Sequence, residues 1–231
     1  MYSRVIDEKE YTFGVSGKLI KNVLVMYDRQ TGTLWSQLIG EAVEGELLGT
    51  KLEFIPSIQT TWADWKKQNP NTVALRKGYF GGRDSYDSYY LSNRAGVLGE
   101  FTQDDRLYIK EFVIGVELND DPIAFPFSVL NKEPVVNHET GGEPILIVFD
   151  SNTGAGAAYK REIDGQVLRF SQIEGTMIMD AETNTTWDGL SGEAIEGALF
   201  GKRLLPVKNT SSFWFGWKDW FPETEIYGLD N

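Results

Sequence analysis

Two stretches of this chain, residues 27–52 and 179–204, repeat one another. The first reads YDRQTGTLWSQLIGEAVEGELLGTKL and the second reads MDAETNTTWDGLSGEAIEGALFGKRL. About half of the aligned positions are identical, which indicates an internal duplication. Asp28 and Asp180, near the start of each stretch, lie 152 residues apart. We therefore expect a related structural unit to form twice.

The N-terminal residues belong to the same repeat at a slightly different spacing. Residues that match others 157 positions later are Tyr2, Arg4, Ile6, Asp7 and Phe13. The change in spacing means that the second copy is shorter by about five residues, near residues 17–21. We predict a partial first repeat at residues 1–76, a connector rich in Gly, Ser and Tyr at residues 77–105, and a complete second repeat at residues 106–231. Together they are expected to form one compact domain.

Short apolar runs followed by turn sequences predict strands. Residues 23–26 (VLVM) and 145–149 (ILIVF) are short and rich in β-branched side chains, which is typical of buried strands. Asp28 and Asp150 follow these runs, and Asp180 follows a third run at residues 177–179. Aspartate accepts hydrogen bonds from turn amides, so each of these positions predicts a hairpin. A calcium site is disfavoured because each turn supplies a single carboxylate.

Residues 60–70 and 212–222 predict two short helices with tryptophans three residues apart, the first capped by a threonine and stopped before Pro70. Trp62 and Trp65 lie in the first, and Trp214 and Trp217 in the second. Residues at this spacing share a helix face, which we expect to pack on a sheet. The predicted fold is mainly β with short helices, with a duplicated β-rich unit forming one pseudo-symmetric body. A β-propeller is the alternative, although propeller blades repeat at about 40–50 residues.

Charge and composition restrict the classes of partner. The net charge of −12 disfavours binding to nucleic acids or anionic lipids. The absence of cysteine removes disulfides, thiol catalysis and thiolate metal sites. No stretch approaches the roughly 18 apolar residues of a membrane span, and the first residues do not read as an export signal. We expect a small molecule or a protein as the partner, with no metal and no cofactor.

The chain resembles the DUF3179 family, a bacterial and archaeal group of unknown function. The resemblance is carried by strings in both halves: FGVSG at 13–17, LVMYDR at 24–29, LWSQ at 34–37, TTW at 60–62, VIGV at 113–116, AFP at 124–126, VVN at 135–137 and FWF at 213–215. Family members usually carry an upstream Cys-Pro-Leu-Cys-Gly motif. The resemblance therefore implies that this chain lacks the N-terminal part of its first repeat, and that full-length relatives are exported.

Four glutamates recur in the two Gly-Glu-Ala-x-Glu-Gly bends: Glu41, Glu44, Glu193 and Glu196. On a strand, residues three apart face opposite sides, which argues against a shared acid/base pair, whereas in a turn they can converge. Glycosidase-like hydrolysis needs two carboxylates about 5–10 Å apart. Buried hydrogen-bonding or turn-capping roles are favoured, because a duplicated fold must keep such residues in both copies.

Aromatic residues divide into matched and unmatched sets. Trp35 and Trp187 occupy matching strand positions, which is typical of core anchors. The unmatched connector is the better candidate for a binding surface. Its candidate ligand-binding residues are Tyr79, Arg83, Asp84, Tyr86, Tyr89 and Tyr90.

His138 is the only histidine of the chain and stands where the DUF3179 family commonly has aspartate. As a solitary loop residue beside Glu139, it is a weak candidate for a general base. We therefore expect a non-catalytic ligand- or partner-binding β module, with a hydrolase that uses the paired glutamates as the alternative. The strand predicted at residues 2–6 is expected to expose an unpaired edge, covered by a second copy of the chain or by upstream sequence.

Overall fold

The computed structural model describes residues 1–76 and 86–229. These residues are mainly β with a few short helices, which confirms the predicted fold class. In chain order, the first described elements are β1 (Val5–Ile6), β2 (Lys9–Glu10), β3 (Phe13–Ile20), β4 (Val23–Asp28), β5 (Leu34–Ser36), β6 (Glu41–Glu44), α1 (Trp62–Gln68) and α2 (Asp87–Tyr90). In the second part lie β7 (Phe112–Leu118), β8 (Asp121–Pro126), α3 (Phe127–Leu130), β9 (Val135–Thr140), β10 (Glu143–Asp150), β11 (Ala155–Lys160), β12 (Glu162–Ile163), β13 (Gln166–Val167), β14 (Phe170–Glu174), β15 (Met177–Asp180), β16 (Thr186–Asp188), β17 (Glu193–Glu196), β18 (Asn209–Phe213), α4 (Trp214–Trp220) and β19 (Glu225–Ile226).

Strands β3, β4, β5 and β6 form the first sheet, antiparallel and in chain order. The turn between β4 and β5 is held by the buried carboxylate of Asp28, which accepts hydrogen bonds from the amides of Gln30 (3.1 Å) and Thr31 (2.6 Å). The same carboxylate accepts the indole N–H of Trp35 at 3.0 Å. Gly32 closes the turn with a φ of 73°, a conformation that glycine adopts without steric cost. The predicted hairpin and the buried Trp35 are confirmed.

Strands β14, β15, β16 and β17 form a second sheet with the same order. In its central turn, Asp180 accepts hydrogen bonds from the amide of Thr183 (2.6 Å) and the indole of Trp187 (2.9 Å). Asn184 takes the place of the turn glycine, with a φ of 56°. Both sheets carry a register shift at the same place, between β5 and β6 and between β16 and β17. These likenesses accord with a duplication, which remains an interpretation of the sequence.

Strands β9, β10 and β11 form a third sheet with β10 in the centre. Successive side chains of a strand point to opposite faces. Ile145, Ile147 and Phe149 lie in one apolar core, which β7 and β8 complete. Leu146 and Val148 lie in a second core, which the second sheet completes. The predicted β10 strand is therefore buried on both faces.

The fourth sheet has the order β18-β7-β8-β19, with β19 parallel to β8, so that β18 is an outer strand. Helix α4 packs on this sheet through Trp214 and Trp217, which lie against Val113 and Ala124. The sheet joins strands that are about 100 residues apart in sequence, unlike a propeller, where each blade is one continuous segment. The propeller alternative therefore finds no support here.

The helices are short, and none in the described part of the chain is long and apolar enough to cross a membrane. Helix α1 begins after Thr61, whose hydroxyl accepts the amide of Asp64 at 3.2 Å, and it ends before Pro70, as predicted. The prediction that its tryptophans pack on a sheet was wrong, since Trp62 is 53% exposed and Trp65 44% exposed. Strands β7 and β8 cover the corresponding face of α4, whereas among the described residues no strands cover α1 in this way.

Partial exposure extends to β4, which we predicted to be buried. Of its apolar residues at positions 23–26, Val25 alone is fully buried. The matching strand of the second sheet, β15, is covered by β10 through Leu146 and Val148, which share a core with Ile178. The first sheet has no such covering strand in the described ranges, and this difference accounts for the error.

The N-terminal segment is paired along one edge. Ser3 donates its amide to the carbonyl of Glu53 at 2.8 Å, and the amide of Ile55 donates to the carbonyl of Met1 at 2.9 Å. Strands β1 and β2 then form a small hairpin. The predicted strand at residues 2–6 is present only at Val5–Ile6, whereas Tyr2 forms an isolated bridge with Phe54. The opposite edge of Tyr2 meets no strand within residues 1–76 and 86–229.

Candidate binding site

A cleft of about 820 Å³ opens between the first sheet and the outer strand β18. Its floor includes Phe13 of β3 and Met26 of β4, which are partly buried. One wall is the N-terminal segment at residues 1–4, and the opposite wall is β18 with Phe213 at its end. The first sheet supplies an apolar surface here because it is uncovered on this side.

The described lining of the cleft is not acidic, although the chain carries a net charge of −12. Among the described residues that line it, none is aspartate, glutamate or histidine. Its charged side chains are Arg4, which forms an ion pair of 2.7 Å with Glu10, and Lys21, which donates to the backbone carbonyl of Asp219 at 2.6 Å. The described lining therefore provides no carboxylate or imidazole for acid–base catalysis, and its cations suit acceptor groups such as carbonyls.

Tyr2 forms a fixed part of the N-terminal wall. Its hydroxyl donates to the carbonyl of Leu38 at 2.6 Å, and burial raises the pKa of Tyr2 to about 12, so the phenol stays neutral. Gly40 lies directly under the ring, where a Cβ atom would come within 2.3 Å of Cε1. The second repeat has the same arrangement, with Tyr159 over Gly192. The glycine that opens each Gly-Glu-Ala bend is therefore required by an aromatic ring.

Glu41 and Glu44 lie on β6, so the bend is a strand. The expectation that strand residues three apart face opposite sides was wrong here, because a β-bulge intervenes. Glu41 is opposite Ser36 and Glu44 is opposite Leu34, and these two partners share one face. Glu193 follows the same pattern on β17, together with the exposed Glu196.

Sharing a face does not bring these glutamates into the cleft, since none of the four lines it. The carboxylate of Glu41 lies 3.9 Å from the ammonium of Lys51, and that of Glu193 lies 2.6 Å from the guanidinium of Arg203. Both ion pairs are partly exposed, so each adds little stability. The sequence favoured buried hydrogen-bonding or turn-capping roles, whereas Glu41 and Glu193 form partly exposed ion pairs instead.

His138 lies on β9 opposite Ile145, so the expectation of a loop position was wrong. Its ring packs edge-on to Phe125 and to Tyr227, with centroids 5.8 and 5.5 Å away. Burial lowers the pKa of His138, and this effect outweighs the opposing influence of nearby carboxylates such as Glu225. The neutral ring therefore acts as a packing group between two aromatics, and it is not among the residues that line the cleft.

Three connector candidates, Tyr79, Arg83 and Asp84, lie outside the described residues. Tyr86 is 62% exposed at the start of α2.

Tyr89 is engaged in structural contacts. Its carbonyl accepts a hydrogen bond from the ammonium of Lys110, which also lies 3.8 Å from the ring centroid, and its hydroxyl accepts the amide of Gly96. Tyr90 lines the cleft, with its ring 6.2 Å from that of Phe213. Of the connector candidates that the structure describes, Tyr90 alone lines the cleft.

Sequence reasoning did not assign Tyr2, Arg4 and Phe13 to a site, although all three line the cleft. The signal was present, because all three match second-repeat residues at an offset of 157. The matches did not reveal that strands cover these counterparts in the second repeat and leave the first-repeat residues open.

The described residues contain no group of three or more His, Asp or Glu side chains that could hold a metal ion. Comparisons with curated proteins and with solved structures found no match. A family model described as a protein of unknown function, DUF3179, matches residues 1–224, and the chain belongs to this family.

Proposed function

We propose that the protein is a non-catalytic binding module whose ligand occupies the cleft between the first sheet and β18. The observation that supports this most is the chemistry of the cleft, which has a volume of about 820 Å³. None of its described lining residues carries an acidic or imidazole side chain. A cleft of this size is large enough for a small ligand or a peptide segment. Its polar groups serve to orient a ligand and provide no acid–base pair.

The ligand is expected to be largely apolar, with polar groups along one side. Phe13 and Met26 provide apolar contact area on the floor, and Phe213 does so on the opposite wall. Arg4 adds donors at the N-terminal wall. Apolar surface with a few fixed polar groups is the usual composition of a ligand site.

A hydrolase that uses the duplicated glutamates is the second candidate. The bulge that places Glu41 and Glu44 on one face supports it, because a carboxylate pair must face the same substrate. The ion pair between Glu41 and Lys51, and the exposure of Glu44, weigh against it.

Fluorine NMR of protein labelled with 3-fluorotyrosine tests the binding module. Tyr2 and Tyr90 line the cleft, whereas Tyr227 packs on Phe125 and serves as the internal control. Neutral oligosaccharides, medium-chain fatty acids and extended peptides are titrated in turn, and each signal is assigned by a Tyr→Phe substitution. We expect one class to shift the Tyr2 and Tyr90 signals saturably and to leave Tyr227 unchanged. If no class does so, the cleft is not a binding site.

The hydrolase candidate is tested with Glu41→Gln and Glu193→Gln. Each folded variant is assayed with nitrophenyl esters and glycosides beside the parent protein. We expect no hydrolysis by any of the three proteins and unchanged ligand binding. Hydrolysis by the parent that a folded glutamine variant loses would overturn the binding module in favour of the enzyme.

A further inference from the structure

In the second repeat, a strand fills the position that corresponds to the cleft. Strand β10 pairs antiparallel with β11, so that Leu146 lies opposite Tyr159. Leu146 and Val148 project onto the second sheet and share a core with Phe170 and Ile178. The surface of the second sheet is thus covered by apolar side chains of an extended strand.

The first sheet presents the same surface uncovered. Tyr2 and Phe13 match Tyr159 and Phe170 in sequence, and Met26 matches Ile178. All three first-repeat residues line the open cleft, whereas their counterparts are buried. The cleft therefore lies where a counterpart of β10 would lie.

The backbone hydrogen bonds of the N-terminal segment recur in the second repeat, with one exception. Ser3 donates to Glu53 as Lys160 donates to Leu205, at 2.8 Å in both repeats. On the other edge, the amide of Arg161 donates to the carbonyl of Pro144 on β10 at 2.9 Å. The amide of Arg4, its counterpart, has no hydrogen-bond partner among the described residues. Within residues 1–76 and 86–229, one donor of the pattern therefore has no acceptor in the first repeat.

The arginine side chains differ in the same way. The guanidinium of Arg161 donates to the carbonyls of Ile145 on β10 (2.9 Å) and His138 on β9 (3.2 Å), and so ties both strands of the hairpin to the repeat. The side chain of Arg4 is 61% exposed and forms an ion pair with Glu10. Arg4 lines the cleft, where an incoming strand would offer it the two carbonyl contacts that Arg161 makes.

A third contact concerns strand β9. The side-chain amide of Asn137 donates to the carbonyl of Phe170, and its oxygen accepts the amide of Phe170, each at 2.8 Å. In the first repeat, the carbonyl of Phe13 accepts a hydrogen bond from the exposed side chain of Arg29 at 2.7 Å. An asparagine on an incoming strand would displace this surface contact.

The exposed face of α1 is an independent observation. Trp214 and Trp217 are covered by β7 and β8, while Trp62 and Trp65 are about half exposed. Two apolar surfaces of the first repeat thus lack the cover that strands provide in the second. Exposed apolar surface of this kind marks interaction sites.

From these matches we propose that the cleft binds a β-hairpin of a partner polypeptide, which pairs antiparallel with residues 2–4. The partner strand carries alternating apolar side chains that face Phe13 and Met26, and an asparagine on its second strand that faces the Phe13 backbone. This is β-strand addition to an open edge, in which backbone pairing gives affinity and side-chain pockets give specificity. The inference rests on the proposed binding function and names its ligand class.

The test uses the chain's own hairpin as the probe. A fluorescein-labelled peptide of residues 134–150 (PVVNHETGGEPILIVFD) is titrated with the full chain and followed by fluorescence anisotropy. We expect saturable binding with a shift of the Tyr2 and Tyr90 fluorine signals. Arg4→Ala should weaken binding about tenfold, because the guanidinium makes charge-assisted hydrogen bonds to two carbonyls. Arg203→Ala, which removes a similarly exposed arginine in the second repeat, should leave the affinity unchanged.

Peptide variants distinguish specific strand pairing from nonspecific binding to apolar surface. A peptide with Val148→Asp places a charge against the apolar floor and should not bind, and one with Asn137→Ala should bind several-fold more weakly. Equal binding of all three peptides, or equal affinity of the parent and Arg4→Ala, would overturn the hairpin proposal. If a fatty acid or an oligosaccharide shifts Tyr2 and Tyr90 while the hairpin does not, the binding module stands and the hairpin fails. If sedimentation shows a dimer that the hairpin peptide cannot dissociate, a second copy occupies the cleft, and the proposal is overturned. If protein expressed with the coding sequence upstream of Met1 no longer binds the peptide, an upstream segment of the same chain fills the cleft, and the proposal is likewise overturned.

Discussion

The indole N–H of Trp187 donates a hydrogen bond to the carboxylate of Asp180 at 2.9 Å, and both side chains are fully buried. Asp180 also accepts the amide and the hydroxyl of Thr183. One carboxylate thus joins a tight turn to the largest side chain of the core, and the first repeat contains the same unit at Asp28 and Trp35.

Replacing Asp180 with Asn should lower the free energy of unfolding by about 1–3 kcal/mol. The substitution puts an amide N–H₂ group in place of one acceptor oxygen and leaves a buried donor unpaired. Urea denaturation followed by tryptophan fluorescence measures the change. The control is Asp150→Asn, because the Asp150 turn bonds Asn152 and Thr153 without a tryptophan. Equal losses in the two variants would contradict a special role for the indole contact.

Asp28 should contribute to stability at neutral pH and lose this contribution in acid. Burial raises the pKa of Asp28, but hydrogen bonds from Thr31, Trp35 and Gln30 outweigh it, so the pKa in the folded state is below its ordinary value. The contribution is then complete above the unfolded pKa of about 3.9 and is lost as the pH falls through the lower folded pKa. Stability measured between pH 5 and pH 3 should fall more steeply for the parent than for Asp28→Asn. Parallel curves would refute this assignment.

His138 should destabilise the fold as the pH falls below neutrality. Its folded pKa is lowered chiefly by burial, so the unfolded chain takes up a proton more readily than the folded one. The stability it contributes is present above the unfolded pKa of about 6.5 and is lost as the pH falls towards the folded pKa. Thermal melts at pH 7.5, 6.5 and 5.5 should show a smaller acid shift for His138→Phe, which preserves ring packing on Phe125 and Tyr227. An identical shift in both proteins would show that another group is responsible.

The two Trp helices should respond differently to truncation. Trp217→Ala removes a side chain that is 2% exposed, packs on Phe221 and donates to Thr224, and should cost about 3–5 kcal/mol. Trp65→Ala removes the matching residue, which donates to Thr72 but is 44% exposed, and should cost about 1 kcal/mol or less. Chemical denaturation of both variants gives the comparison, and similar losses would contradict the difference in burial.

Local features of this fold could be predicted from the sequence. The Asp28 turn and the buried Trp35 follow from a short-range pattern of turn residues and apolar spacing, and the N-terminal cap of α1 by Thr61 is equally local. Such features depend on residues a few positions apart, so an isolated sequence contains the information. The mainly β class followed from the same patterns.

Features that depend on distant segments could not be predicted in the same way. The exposure of Trp62 depends on what covers α1, and the strand position of His138 depends on its pairing with Ile145. The shared face of Glu41 and Glu44 depends on a single extra residue in β6, which no pattern of side chains marks. The cleft depends on which strands cover each repeat, and two similar sequences have different surroundings here.

Strand β10 alternates between two separate apolar cores along its length. A series of Ile→Val and Leu→Ala substitutions along this one strand would therefore sample the two cores in turn. Kinetic measurements on that series would report the order in which the two halves of the second repeat assemble, because odd-numbered positions monitor one interface and even-numbered positions the other. Substitutions on a single strand thus report the relative order in which two cores form, and no added probe is needed.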